Sequence, residues 1–349
     1  MRRRDFFQKT GMAAAVTGFS LKESMAKGLL ESPVSPIRPR RLRQGATVAL
    51  IAPASPFSPE KLERARNNIA GMGFVLREGD NLHARYGYLA GTDAQRLDDL
   101  HAAFRDPGID AIWCIRGGYG CSRLLPQIDY KLIELNPKPL IGYSDITALH
   151  LAVQQRTGLI TFHGPVAAAE FPDDTLRHFQ AVLTDPQAEY RLQIPAGDAE
   201  LPHEMFRPYV IHPGKARGTI TGGNLSLLAA LTGTDFEPSF RGKLVFIEDV
   251  GEQPYRIDRM LTQMLQATDL AKAAGIALGV FAGCEAKDDS PSLSLRETLE
   301  DRLSGLGIPV VYGIPFGHVE HQATLPYGIK AELDADAGTF TLLEMAVRD

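Results

Sequence analysis

The chain has 349 residues, of which 44% are hydrophobic and 23% charged, and its formal net charge is -5. This composition is typical of a globular protein with a sizeable apolar core. The length predicts two domains, because single hydrophobic cores stop growing near roughly 250–300 residues. The negative balance, with no dense basic run after the first few residues, argues against a nucleic-acid-binding role.

The first 26 residues predict an export signal. Residues 3–9 read Arg-Arg-Asp-Phe-Phe-Gln-Lys, which resembles a twin-arginine signal, and an apolar stretch follows over residues 11–21. That stretch is too short to span a bilayer as an ordinary helix. Ser24-Met25-Ala26 forms a cleavage site of the small-x-small type, with cleavage expected after Ala26. We therefore expect a periplasmic protein without a stable membrane anchor, the alternative being the basic N-terminus of a cytoplasmic protein. Residues 27–44, rich in Pro, Ser and Arg, predict a linker.

The first half of the mature chain alternates short apolar runs with helical patterns. Predicted strands cover residues 47–53, 111–115 and 139–143, with another after the helix stop at 71–73, and predicted helices cover 59–72, 93–104 and 145–156. Charged positions of the second helix, Arg96 and Asp99 among them, predict a solvated face. Strands that alternate with helices predict a parallel α/β sheet with helices on both faces.

The second half is predicted to form another domain. Residues 186–213 contain five prolines and predict an irregular connector between an N-terminal domain (45–185) and a C-terminal domain (214–349). Predicted elements after the connector are a helix ending near 231, a strand over 243–247, a helix over 255–266, a strand over 275–281 and a mixed tail over 309–344.

A glycine-rich loop, residues 116–120, follows the predicted strand 111–115 and reads Arg-Gly-Gly-Tyr-Gly. Ligands of open parallel sheets gather at the carboxyl ends of the strands. Glycines present backbone N–H groups there, which suit a phosphate or an oxyanion. The spacing is not Gly-x-Gly-x-x-Gly, so dinucleotide binding is a weak prediction, and a bare turn is the alternative.

Ser144 lies where a predicted strand runs directly into a predicted helix. This geometry exposes a hydroxyl at the sheet edge and resembles a nucleophile elbow, although Ile146 replaces the usual second glycine. A serine at such a junction is also often a helix cap.

A serine nucleophile needs a base and an orienting acid. Glu248 and Asp249 come directly after the predicted strand 243–247, and His318 and His321 lie in a loop rich in Gly and Pro. An acid at a strand end is more often a cap or an ion pair, and a loop histidine is more often a surface residue. His318-x-x-His321 is a weak metal-ligand pair without a carboxylate partner, so we expect no metal.

Five motifs in this order resemble the LD-carboxypeptidase family, which includes murein tetrapeptide carboxypeptidases and microcin C self-immunity peptidases. The resemblance covers roughly residues 45–345. The motifs are Arg116-Gly-Gly-Tyr-Gly, Gly142-Tyr-Ser-Asp-Ile-Thr-Ala-Leu-His150, Gly222-Gly-Asn-Leu225, Ile247-Glu-Asp249 with the run from Pro254 to Leu261, and Gly317-His318 with Leu325-Pro-Tyr-Gly328.

The resemblance implies a Ser-Glu-His triad in chain order. Carried over by motif, the nucleophile is Ser144, the acid is Glu248 rather than Asp249, and the base is His318 rather than His321. It also implies a flavodoxin-like N-terminal domain, a smaller α/β C-terminal domain, a site in the cleft, homodimers, and no metal or cofactor.

The resemblance further implies that the backbone N–H groups of Asp145 and Gly118, or less surely Gly117, bind the oxyanion. Arg116 is a candidate for binding the terminal carboxylate of a substrate, with a salt bridge to a neighbouring acid as the alternative. Asn224 is a candidate for hydrogen-bonding the peptide, with capping of its helix as the alternative.

The activity implied is that of a serine carboxypeptidase that releases terminal D-alanine from murein tetrapeptide stems. The best-known murein-recycling members are cytoplasmic, whereas this chain carries an export signal. One alternative is a microcin-immunity type of peptidase acting on peptide–nucleotide conjugates. Another is a periplasmic protein that binds muropeptides without turning them over.

Overall fold

The computed structural model describes residues 35–193, 207–287 and 291–349. The export signal predicted for residues 1–26 lies outside the described residues. Within them, no helix combines the length and the apolar character that a bilayer crossing requires.

Helices and strands alternate through most of the described chain. In chain order the elements are β1 (Thr47–Ile51), α1 (Pro59–Gly71), β2 (Val75–Glu78), α2 (Asp93–Arg105), β3 (Ala111–Cys114), α3 (Tyr130–Leu135), β4 (Leu140–Gly142), α4 (Thr147–Thr157), β5 (Phe162–His163), α5 (Asp173–Leu183), β6 (Tyr190–Gln193), β7 (Tyr209–His212), β8 (Lys215–Asn224), α6 (Leu225–Leu231), β9 (Leu244–Glu248), α7 (Pro254–Ala267), β10 (Gly275–Val280), α8 (Leu295–Leu303), β11 (Val310–Gly317), β12 (Leu325–Pro326), β13 (Lys330–Asp334) and β14 (Thr339–Leu342).

The first sheet has the strand order β12-β5-β4-β3-β1-β2. Strands β1 to β5 are parallel, and β12 pairs antiparallel with β5 at the edge. The parallel part has the order 2-1-3-4-5 of flavodoxin-like sheets. Its central strands β3 and β4 are fully buried, as expected for a parallel sheet covered on both faces. The predicted flavodoxin-like α/β fold is therefore confirmed.

The second sheet has the strand order β6-β14-β13-β8-β9-β10-β11-β7. Its centre, β8 to β11, is parallel, and antiparallel strands flank this centre on both sides. The buried strands β9 and β10 place their carboxyl ends at one edge of the sheet. The chain leaves this edge after β11, adds β12 to the first sheet, and then returns as β13. This excursion carries residues 317–326 from one sheet to the other.

Three expectations about the domain boundaries and surfaces need correction. The segment 186–213, expected to be irregular, contains β6 and β7, which form the two edges of the second sheet. Their partners, β14 and β11, lie far away in sequence, so local patterns could not reveal the pairing.

The predicted linker also contributes to the fold. Leu42 is 1% exposed, and its N–H donates to the Leu183 carbonyl at 2.8 Å. Residues 35–44 therefore pack against the first domain instead of linking to it. On α2, Arg96 and Asp99 are buried rather than solvated. Arg96 lies four residues before Leu100, so the helical repeat places it on the apolar stripe.

Candidate functional site

Ser144 occupies a tight turn between β4 and α4. A single 3-10 turn, Ser144–Ile146, separates the strand from the helix, which begins at Thr147 rather than at the predicted Asp145. Ser144 has φ +65°, and no other non-glycine residue in the described ranges has a positive φ. Such a conformation costs free energy and persists only where the surroundings enforce it. The turn aims the side chain of Ser144 out of the sheet, ahead of a helix N-terminus.

A line of hydrogen bonds connects Ser144, His318 and Glu248. His318 Nε2 lies 3.1 Å from Ser144 Oγ, and His318 Nδ1 lies 2.8 Å from Glu248 Oε2. Because a carboxylate only accepts, Nδ1 donates to Glu248 and Nε2 accepts from the serine hydroxyl. The Glu248 side chain is 0% exposed, whereas that of His318 is 20% exposed. The ring thus bridges a buried acid and a hydroxyl at the surface of the cleft.

Gly317 allows His318 to lie this close to Glu248. It ends β11 with φ +115°, and a Cβ at this position would lie 2.9 Å from the Val280 carbonyl oxygen and 3.1 Å from Glu248 Cβ. Only glycine fits there without displacing β9 or β10. The local irregularity in the β10–β11 register, between Leu278 and Val280, accompanies this close approach.

The neighbouring candidates have other contacts. His321 is exposed and pairs with Asp174 at 2.8 Å. Asp249 accepts from Ser226 N at 2.9 Å and from Ser226 Oγ at 2.8 Å, so it faces the start of α6. Burial and the charge of Glu248 raise the pKa of Asp249 to about 6. His321 and Asp249 therefore bind other partners, and the assignment of Glu248 as the acid and His318 as the base stays a prediction.

Tyr143 packs its ring edge-on against His318, with 4.9 Å between the ring centroids. Burial, with a smaller effect from the nearby Glu248 charge, raises the pKa of Tyr143 to about 12. Behind Tyr143 lies His163, which is fully buried against Phe246 and Phe316. These rings form an apolar wall on one side of His318, which limits the positions that the imidazole can adopt.

The glycine-rich loop contacts the turn at Ser144. A Cβ on Gly117 would lie 2.8 Å from Ser144 Cβ, and a Cβ on Gly118, at φ +122°, would lie 2.4 Å from Ser55 Oγ. Ser55 Oγ also accepts from the N–H of Tyr119 at 3.0 Å. The two backbone segments proposed from the sequence as oxyanion donors, at Asp145 and at Gly118, therefore belong to adjacent loops.

Ser55 is a site residue that the sequence analysis missed. It lies in the loop after β1, and β1 is the neighbour of β3 in the first sheet. The carboxyl ends of adjacent parallel strands share an edge, so this position was a signal that could have identified it.

The two predicted substrate-binding residues have different environments. Arg116 is half-buried, and its Nε and Nη1 donate to the carbonyls of Gly117 at 3.1 Å and Pro56 at 2.9 Å. It makes no ion pair with an acid in residues 35–193, 207–287 and 291–349. Asn224 is buried, with Oδ1 accepting from Leu227 N and Nδ2 donating to Asp249. These are the contacts of a helix cap, which was the alternative for Asn224.

Within the described part of the chain, no group of three or more His, Cys, Asp or Glu side chains is arranged to hold a metal ion. His318 and His321, the weak pair in the sequence, bind separate carboxylates.

Two family models match the chain: the LD-carboxypeptidase N-terminal domain over residues 48–164 and the LD-carboxypeptidase C-terminal domain over residues 217–333. The chain belongs to the LD-carboxypeptidase family. Each of the five motifs on which the resemblance rested lies within one of these two matched segments. This membership identifies the chain as a hydrolase of the peptidase type.

Relatives with assigned names support the same class. The probable murein peptide carboxypeptidase of Bacillus subtilis is 41% identical over 85% of this chain and 91% of its own length. The murein tetrapeptide carboxypeptidase of Pseudomonas aeruginosa is 39% identical over 74% of this chain and 83% of its own. A solved structure of MccF in complex with glutamyl sulfamoyl guanosine superposes with a TM-score of 0.81 at 27% identity, covering 90% of this chain and 100% of that one.

We predict that His163 makes the stability of the protein depend on pH. Burial holds the pKa of His163 well below its usual value. As the pH falls through about 6.5, this histidine therefore becomes protonated in the unfolded chain but stays neutral in the folded protein. Stability is then present above pH 6.5 and lost as the pH falls. His163→Phe should reduce the loss of unfolding free energy between pH 7 and pH 5 by roughly 1–2 kcal/mol, measured by urea denaturation. An equal loss in wild type and variant would contradict the assignment.

Proposed function

We propose that the protein is a serine carboxypeptidase that releases terminal D-alanine from murein tetrapeptide stems by hydrolysing the L,D-peptide bond. The observation that carries this proposal is the hydrogen-bonded line of Ser144, His318 and Glu248. The names of the 39–41% identical relatives support murein peptides as the substrate class.

In the proposed reaction, Ser144 Oγ attacks the carbonyl carbon of the L-configured third stem residue while His318 Nε2 takes the hydroxyl proton. The carbonyl oxygen becomes an oxyanion that accepts from the N–H groups of Asp145 and Gly118, each contributing about 3–4 kcal/mol. The imidazolium then protonates the leaving nitrogen, and D-alanine departs. Water, deprotonated by His318, hydrolyses the acyl-enzyme and restores Ser144.

Glu248 acts on the imidazole throughout this cycle. Its carboxylate keeps the proton on Nδ1, so Nε2 is available to accept from Ser144, and its charge stabilises the imidazolium. Burial of the carboxylate strengthens both effects, because water does not screen the pair. No step requires a metal or a cofactor.

We predict that Ser144→Ala and His318→Gln each lower the release of D-alanine by roughly 10⁴-fold or more, because each variant removes a group that acts as part of one unit. The measurement is mass spectrometry of a defined murein tetrapeptide after incubation, with the released alanine identified by a D-amino-acid oxidase assay. His321→Gln is the matched control and should retain wild-type turnover. Release of D-alanine by Ser144→Ala at a rate near that of wild type would refute the assignment of Ser144 as the nucleophile.

The same assay discriminates the alternatives. A microcin-immunity type of peptidase would cleave an aminoacyl sulfamoyl nucleoside, of the kind seen bound in the MccF structure, and leave the tetrapeptide intact. A protein that only binds muropeptides would bind the tetrapeptide stoichiometrically, and a fluorophosphonate probe would not label Ser144.

We further propose that Arg116 binds the terminal carboxylate of the substrate. Two backbone carbonyls hold its guanidinium beside the glycine-rich loop, and a guanidinium suits a carboxylate geometrically. Arg116→Met should raise KM for the tetrapeptide about 10-fold or more while changing kcat less. Arg85→Met is the matched control, since Arg85 also donates to backbone carbonyls nearby. A tetrapeptide amide should show no difference between wild type and Arg116→Met; an unchanged KM for the acid would refute the role.

We propose that the enzyme acts in the periplasm, where an exported carboxypeptidase can trim tetrapeptide stems directly. The proposal rests on the arginine pair in residues 3–9 and on the apolar stretch that follows. In a bacterium with a twin-arginine pathway, the full chain should appear in the periplasmic fraction, and replacement of Arg3 and Arg4 by lysine should retain it in the cytoplasm. Cytoplasmic location of the wild-type chain would overturn this proposal and leave the chemistry untouched.

A further inference from the structure

Arg96 is a buried cation close to the proposed active site but not part of the triad. Its side chain is 0% exposed, although it lies near the start of α2. Nη1 donates to the carbonyls of Pro53 and Gly120, the latter at 3.0 Å, and Nη2 pairs with Asp93 at 2.6 Å. A buried guanidinium is costly unless it is paired; these contacts satisfy Nη1 and Nη2, whereas the buried Nε has no hydrogen-bond partner among the described residues.

One carbonyl belongs to the glycine-rich loop, which contacts Ser144, and the other belongs to the loop after β1, which contacts the glycine-rich loop through Ser55. Pro53 follows β1, and Gly120 ends the glycine-rich loop after β3. Gly120 has φ +129°, and a Cβ there would lie 2.8 Å from Arg96 Nη1. The missing side chain therefore gives the guanidinium direct access to the Gly120 carbonyl.

Asp145 holds the other end of the same peptide group. The Gly120 carbonyl and the Cys121 N–H are parts of one planar peptide, and the Cys121 N–H donates to Asp145 Oδ2 at 2.8 Å. A cation thus binds the oxygen of this peptide while an anion binds its N–H, so its plane is fixed from both ends. Asp145 is 2% exposed, and burial raises the pKa of its carboxyl.

Asp93 secures Arg96 from the solvent side. It accepts from Arg96 and, through both oxygens, from Arg123 at 3.0 and 2.8 Å. The guanidinium is therefore held in one orientation, rather than merely buried.

We propose that Arg96 is a positioning residue: with Asp145 it clamps the Gly120–Cys121 peptide, and so holds the glycine-rich loop where the Gly118 N–H meets the oxyanion. This inference rests on the proposed serine-peptidase function. Gly118 lies two residues before the clamped peptide, and Asp145 supplies the other N–H, so the clamp connects the segments that carry the two oxyanion donors. A displacement near 1 Å at such a donor costs about 10²-fold in rate.

The experiment compares Arg96→Met and Arg96→Lys with Lys138→Met. Lys138 is a matched control because it is also buried and donates to two backbone carbonyls, those of Ala103 and Asp106, at the opposite end of α2. We expect Arg96→Met to lower kcat roughly 10- to 100-fold with KM changed less than about 3-fold. Arg96→Lys should recover part of kcat, and Lys138→Met should lower Tm without lowering kcat.

A second readout does not depend on the natural substrate. A fluorophosphonate probe forms a tetrahedral adduct on Ser144 whose oxygen takes the oxyanion position, so its second-order labelling rate should fall in Arg96→Met in parallel with kcat. If wild type is labelled but releases no D-alanine, the murein assignment fails while the clamp is still tested by the labelling rate. If Arg96→Met lowers Tm as Lys138→Met does and is labelled at the wild-type rate, the clamp is refuted.

A milder variant covers the case in which Arg96→Met does not fold. Asp93→Asn leaves the Arg96 side chain in place but removes its charged partner, and it should lower the labelling rate roughly 3- to 10-fold. Wild-type labelling rates in both Asp93→Asn and Arg96→Lys would overturn the proposal.

Discussion

The hydrogen bond between Ser144 and His318 joins residues 174 positions apart that belong to different sheets. Ser144 lies just after strand β4 of the first sheet, whereas Glu248 ends β9 and His318 follows β11 of the second sheet, with β10 between those two strands. A contact of 3.1 Å between them survives only if the two sheets are held at a fixed separation. The rest of the architecture can be understood as the means of holding it.

Three contacts between the sheets hold that separation. The chain leaves the second sheet after β11 and adds β12 to the first sheet beside β5, and the Asn224 N–H donates to Thr147 Oγ1 at 3.1 Å. Tyr327 donates its hydroxyl hydrogen to the Gly222 carbonyl, and a Cβ on Gly223 would lie 2.4 Å from Thr147. The Gly-Gly-Asn motif therefore allows the backbone of β8 to approach the start of α4 closely.

Much of this arrangement could be predicted from the sequence, because the end of an apolar run marks the end of a strand locally. Apolar runs that end at Ser144 and Glu248 place both residues at sheet edges, and the family motif adds His318. The residues that position these groups could not be predicted from the sequence. From the sequence, Arg96 is predicted to be a surface charge, and Asp145 is predicted only to donate its backbone N–H. Both predictions miss the side-chain contacts, because the partners are backbone atoms of distant loops. Backbone partners have no sequence signature.

Three buried carboxylates near the site show how similar residues take separate roles. Glu248 has one partner among the described residues that can move a proton, His318, whereas Asp249 binds the start of α6 and Asp145 binds the glycine-rich loop. Oε1 of Glu248 has no hydrogen-bond partner in the described chain, so its charge is compensated mainly through the imidazole. Loss of His318 would leave that charge buried and unpaired, which costs more than loss of the contact itself. The acid and the base are thus energetically coupled as well as adjacent.

The cysteines bear on the proposed route out of the cytoplasm. Cys114, Cys121 and Cys284 are all unpaired and buried, and burial raises the pKa of the Cys284 thiol to about 12. Thiols react as thiolates, so these groups are inert while the fold is intact, but an unfolded chain would expose three oxidisable thiols in the periplasm. A twin-arginine pathway carries folded proteins. The proposed export in the folded state would therefore protect a core that contains free cysteines, and it would deliver the site at Ser144 already assembled.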